Sequence, residues 1–140
     1  MNESIEEQKV FADHVAEHDR LNFLPGLFGG EMLTVEYAIY SMAERLIEGY
    51  KGGYWEFVKL SNGGGYMYPK SDGKLHIEVD GNCYGGDVSP DAAGIIVCIF
   101  TFNHLMWSGH DSDAIRNAYD RLMAYAYDHP EATDIFSAID

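Results

Sequence analysis

Basic residues are scarce in this 140-residue chain: nine Lys and Arg stand against 23 Asp and Glu, a formal net charge of −14. Binding nucleic-acid phosphates needs a basic face, so the balance argues strongly against a direct nucleic-acid binder. Cysteine is scarce too. Cys83 and Cys98 are the only two, with no C-x-x-C, which makes no disulfide framework and fits a reducing cytoplasm. The longest apolar run, Ala92–Phe102, is broken by Gly94 and Thr101 and falls far short of a membrane span. The opening MNESIEEQKV is acidic where a signal peptide is basic. Walker, G-x-S-x-G, H-E-x-x-H and G-x-G-x-x-G patterns are all missing.

What is present is apolar matter: 46% hydrophobic and 14% aromatic residues, enough for one domain with a real core over residues 1–140. The acidic surplus has two readings. It is either a solubilising surface or one that attracts a basic partner, such as a protein whose own ligand is DNA.

Along the chain, Glu3–His18 has the spacing of an exposed acidic helix, with Ile5, Val10, Phe11 and Val15 as an incomplete stripe. In Leu21–Gly30, Pro25 and Gly26 predict an irregular segment whose Phe23, Leu24, Leu27 and Phe28 pack on the core, or else form an exposed partner-binding patch. Glu31–Tyr50 predicts a helix with Leu33, Val35, Tyr37, Ile39, Tyr40, Met42, Ala43, Leu46 and Ile47 on its apolar face. Strands follow at Tyr54–Leu60, Gly65–Tyr68, Leu75–Val79 and Tyr84–Val88, joined by Ser61–Gly64, Ser71–Gly73 and Gly81-Asn82. Gly85 and Gly86 predict a bulge or a close backbone approach. Ser89-Pro90 starts a helix that should be the buried centre, running to Trp107. Ser112 or Asp113 caps the next helix, to Tyr127, and a last short helix restarts at Pro130. The class is therefore α+β: one domain, helices packed around a small antiparallel β-meander of three or four strands.

Chemistry is harder to find. His14 and His18 at i, i+4 are read as exposed residues on the acidic helix, and a metal would need further ligands from elsewhere. His104 reads as a buried histidine within the apolar helix. His76 and Glu78 project from one strand face as a weak acid–base pair at best. Cys83 has no nearby cation in sequence to activate it. The cluster Tyr54, Trp55, Phe57, Tyr66 and Tyr68 reads as sheet packing. No cofactor, metal or catalytic residue is expected.

Three blocks nevertheless occur together and in order: Phe23-Leu24-Pro25 with Phe28-Gly29; Gly52-Gly53-Tyr54-Trp55-Glu56-Phe57 with Leu60-Ser61-Asn62-Gly63-Gly64; and Val79, Gly81-Asn82, Tyr84 and Gly86 leading to Asp91-Ala92-Ala93-Gly94-Ile95. The ending, His129-Pro130-Glu131-Ala132 with Ile135-Phe136 and Ala138-Ile139-Asp140, goes with them. In these blocks the chain resembles the antirestriction proteins of the ArdB/KlcA type, from about Leu21 onward. Asp87, Val88 and Pro90 depart from the pattern, where glutamate, methionine and alanine are expected. The acidic N-terminal helix, residues 1–20, lies outside the matched blocks.

The resemblance implies a small protein of mobile elements such as conjugative plasmids, α+β in fold and not an enzyme. It would relieve restriction of incoming DNA by type I restriction-modification enzymes, through direct or indirect protein–protein inhibition of that complex. The alternatives are an acidic DNA mimic, a binding module for another partner, and a small hydrolase using His76, Glu78 or Cys83. The glycine-rich turns, with Trp55, Glu56, Asn62, Asn82 and Asp87, form the candidate interaction surface.

Overall fold

The computed structural model describes residues 9–140. Five strands and five helices follow in the order β1 (Ala12–His14), α1 (Arg20–Phe28), α2 (Met32–Leu46), β2 (Trp55–Leu60), β3 (Gly65–Pro69), β4 (Leu75–Val79), β5 (Tyr84–Val88), α3 (Pro90–Trp107), α4 (Asp113–Ala126) and α5 (Ala132–Ile139). The α+β class holds. The strands divide into an antiparallel sheet ordered β1-β2-β3 and a separate antiparallel pair, β4-β5.

The N-terminal expectation fails over the described residues; its portion before residue 9 lies outside them. Ala12–His14 pairs with the edge of β2 instead, Ala12 opposite Leu60 and His14 opposite Val58. The Val15 N–H donates to the Phe57 carbonyl at 2.9 Å, and the Ser61 N–H to the Phe11 carbonyl at 2.9 Å. An open sheet edge offers these backbone groups partners that an isolated, acidic helix would have to make for itself. His14 and His18 therefore share no helix face. His14 Nε2 lies 2.8 Å from the Tyr68 hydroxyl, while His18 sits 3.4 Å from the Asp19 carboxylate.

Leu21–Gly30 differs too. It lies almost wholly in α1, with Pro25 inside the helix and Phe23, Leu24 and Phe28 buried. Pro25 cannot donate to the Leu21 carbonyl, but Leu21 is exposed, so water can replace that bond. Burial of three large side chains outweighs the break. In α2 the buried stripe is Val35, Ile39, Met42, Ala43 and Leu46; Leu33 and Tyr37, expected on the same face, are exposed.

α3 is the centre. Ser89 caps it as expected, its hydroxyl accepting from the Ala92 N–H at 3.1 Å. It packs on β3 on one side and on α2, α4 and α5 around the rest. Gly94 permits the closest approach: a Cβ there would meet Tyr68 Cβ and the Met67 carbonyl oxygen. One turn later the Cys98 thiol donates to that same carbonyl at 3.6 Å, and burial pushes the thiol pKa up to about 12. The burial expected throughout this helix stops short of its end, because His104 and Trp107 face outward. No helix among the described residues is long and apolar enough to cross a membrane.

Candidate interaction surface

Alternation along β2 decides how its residues point. Trp55 is only 3% exposed; its Nε1 donates to the Tyr50 hydroxyl at 2.9 Å, with the Tyr40 and Tyr50 rings set edge-on around it. It is a core residue, which corrects its expected place on a contact surface. Tyr54 and Phe57 flank the Arg20 guanidinium at 4.4 and 4.3 Å, and Arg20 Nη2 donates to the Trp55 carbonyl at 2.9 Å. Glu56 is half-buried, 3.8 Å from Lys70 Nζ.

The β2–β3 turn looks inward as well. Asn62 Oδ1 accepts from the Gly64 N–H at 3.0 Å while its Nδ2 donates to the Arg121 carbonyl at 3.0 Å, fastening the turn to α4. A Cβ on Gly64 would lie 2.7 Å from that of Arg121, so close seating against α4 requires glycine there.

On the outer face of β4-β5, His76 lies between two carboxylates: Nε2 to Glu78 Oε2 at 2.7 Å and Nδ1 to Asp87 Oδ1 at 2.7 Å. The hydrogen bonds to Glu78 and then Asp87 raise its pKa to about 9, so the ring is a cation at neutral pH. The carboxylates grip opposite edges of the ring and cannot converge with it on one metal ion. Among the described residues no group of three or more His, Cys, Asp or Glu is placed to hold one. The glycines opposite make room: a Cβ on Gly85 would sit 2.9 Å from Glu78 Oε2, and one on Gly86 would strike the Tyr84 ring. Side chains, and not the backbone expected there, make the close approach. Asn82 ends this unit by donating Nδ2 to the Ala138 carbonyl at 2.6 Å, and the Tyr84 hydroxyl donates to Asp134 at 3.0 Å. Burial, with Asp134 beside it, pushes the Tyr84 pKa up to about 12.

A third polar cluster joins the N-terminus of α3 to the α4–α5 connection. The Tyr66 hydroxyl donates to Asp91 Oδ1 at 2.5 Å, and His129 Nε2 lies 2.8 Å from Asp91 Oδ2. The Glu131 N–H donates to His129 Nδ1 at 2.9 Å, which places the ring proton on Nε2, facing Asp91. Glu131 in turn accepts from the Ser89 N–H and hydroxyl at 3.0 and 2.5 Å. Burial would raise the Asp91 pKa, yet the His129 and Tyr66 hydrogen bonds outweigh it and hold the carboxyl below its usual value. Both ring nitrogens of His76 and both of His129 are thus occupied within the protein. Neither histidine has one left to move a substrate proton. Cys83, exposed in a left-handed turn, is a partner of neither.

The sequence pattern of the family described as Antirestriction protein matches residues 48–140. The chain belongs to that family. Two Escherichia coli proteins named Antirestriction protein KlcA are 46% identical over 94% of both chains and 43% identical over 96% of this chain and 98% of theirs. The putative antirestriction protein YubI of Escherichia coli K12 is 38% identical over 91% of this chain and 94% of its own. A solved structure from the KlcA and ArdB proteins superposes with a TM-score of 0.87 at 44% identity, each chain covered completely. Those proteins show a novel fold and antirestriction activity against type I DNA restriction systems in vivo but not in vitro.

Within this family member, the five expected surface residues are split. Trp55, Glu56 and Asn62 belong to the three-stranded sheet and its turn, Asn82 and Asp87 to the β4-β5 unit. Only Asp87 is exposed. A surface the sequence did not disclose adjoins one of them: Trp107 is 84% exposed and Tyr37 75%, on two grooves between α2 and the C-terminal part of α3, the larger also walled by Glu78–Asn82 and so by Asn82 itself. Both have the spacing of core residues, because apolar residues at helical spacing give no warning of where the neighbouring helix ends.

Proposed function

We propose that this chain relieves restriction of incoming DNA by type I restriction-modification enzymes through protein contact, in the cytoplasm, rather than by chemistry or by standing in for DNA. The likeness to the KlcA and ArdB proteins over the complete chain carries the reading. A DNA mimic competes for the enzyme's DNA site in a purified mixture as well as in a cell. Activity found in vivo but not in vitro points instead to a contact that needs a further cellular component.

Six of the 23 acidic side chains agree with this. Asp91, Glu131, Asp134 and Glu31 accept hydrogen bonds from Tyr66, Ser89, Tyr84 and Ser112, and Glu78 and Asp87 hold His76. Side chains committed to the fold are poor stand-ins for a free phosphate ladder. The deciding experiment plates unmodified phage on cells carrying a type I restriction system, with and without this protein. Restored plating is expected. Unchanged plating with soluble protein verified would refute the activity. The formal charge of −14 keeps mimicry as the second reading. It predicts inhibition of the purified enzyme that weakens steeply with salt, whereas contact through a cellular component predicts none.

A further inference from the structure

We propose that the α2–α3 groove is a docking site for a protein segment that carries arginine or lysine beside an apolar side chain. This rests on the reading that the chain acts by protein contact, and it supplies the surface. Two grooves of about 570 and 280 Å³ adjoin there, sharing Met42, Arg45 and His104. Trp107 stands over the larger and Tyr37 over the smaller. Exposed aromatics beside an arginine have the composition of interface anchors.

Charge chooses the occupant. Glu78 and Asp80 line the larger groove with Trp107. Arg45 is the one formally charged cation lining either groove, while Glu44 and Glu48 are exposed next to it in sequence. Against a chain total of −14, an acidic segment would be repelled on approach and a basic one steered inward. A guanidinium or ammonium group there can stack on the Trp107 indole and pair with the exposed Asp80 carboxylate. Its apolar neighbour can enter between Met42, Leu46 and Phe100.

The test titrates the full chain calorimetrically, at physiological ionic strength, with a synthetic Leu–Arg peptide and its Leu–Glu counterpart. The Leu–Arg peptide should bind and the Leu–Glu peptide should not. Trp107→Ala should weaken binding by about tenfold or more, and Leu21→Ala, on a separate cavity, should leave it unchanged. Failure of the Leu–Arg peptide to bind, equal binding of both peptides, or binding indifferent to Trp107→Ala and Tyr37→Ala would overturn the proposal. In the plating assay Trp107→Ala should abolish relief that Leu21→Ala retains. A wild-type chain that gives no relief would sink the antirestriction reading, with the groove still decided by the titration. A wild-type chain whose relief survives Trp107→Ala would sink the groove as the working surface.

Discussion

Replacing Gly94 with alanine tests whether the central helix really seats on β3. The added methyl would meet Tyr68 Cβ and the Met67 carbonyl oxygen, with Tyr68 Cα at 2.6 Å. All three atoms belong to the strand backbone or are bonded directly to it, so no rotamer change clears them. Helix or strand must move by roughly 1 Å to restore ordinary contact distances. Because α3 is packed against α2, α4 and α5 as well, that movement opens contacts on its other sides. Overpacking of this kind costs about 1–3 kcal/mol, against about 1 kcal/mol recovered from the better helix propensity of alanine. With backbone as the obstacle the cost lies toward the upper end, so the net should be a loss of about 1–2 kcal/mol. At a urea slope of about 1.5 kcal/mol/M the unfolding midpoint should fall by about 0.7–1.3 M. Gly26→Ala is the control. Gly26 lies in α1 with open space where its Cβ would be, so the same chemical change should stabilise by about 0.5–1 kcal/mol. A Gly94→Ala midpoint indistinguishable from wild type, with the slope unchanged, would refute the seating argument.

Asp91→Asn leaves one amide oxygen for two donors, Tyr66 O–H and His129 Nε2–H, and should cost about 1–3 kcal/mol by urea unfolding. The Asp91 pKa is lowered on folding, so its contribution is present above the unfolded carboxyl value and lost as pH falls through the folded one. The variant should accordingly lose part of the wild-type stability decline on the acid side, measured from pH 6 to about 3. Asn82→Ala orphans the Ala138 carbonyl and should cost about 1 kcal/mol, with faster amide exchange in α5 than elsewhere. The His76 ring should titrate by NMR near pH 9, falling toward 6.5 in Glu78→Gln and Asp87→Asn. Its pKa is raised, so the support it gives to β4-β5 is complete below the unfolded value of about 6.5 and fades as pH rises through about 9. Hairpin amide exchange that stays flat across that window would contradict it.

Much of this architecture is legible in the sequence where local chemistry and tertiary demand agree. Ser89-Pro90 and Ser112 announce helices, and their hydroxyls do cap them. Asn62-Gly63 announces a turn and is one. Legibility fails where a partner distant in sequence decides. Phe11–Val15 has helical spacing, yet an edge of β2 some 45 residues away claims it. Pro25-Gly26 signals a break, yet Phe23, Leu24 and Phe28 bury well only in a helix. For the site, turn composition points to Asn62 and Asn82, yet both amides face carbonyls about 60 residues further along. Residue types at a turn show that polar groups are there; they do not show whether those groups point at solvent or at a helix not yet made.

That last dependence governs how the chain can fold as it is synthesised. Ser89, Asp91 and Asn82 find their partners in Glu131, His129 and Ala138. All three fastenings therefore wait for residues translated well after α3 itself. A nascent chain that has released only its first hundred or so residues holds an apolar helix, Ala92–Phe102, whose first turn has Tyr66 and its own cap but not yet its ties to the α4–α5 connection. Its exposure lasts until α4 and then the segment from His129 to Ala138 emerge, so the interval for chaperone capture or misassociation is set by the translation of Asp113 to Ala138.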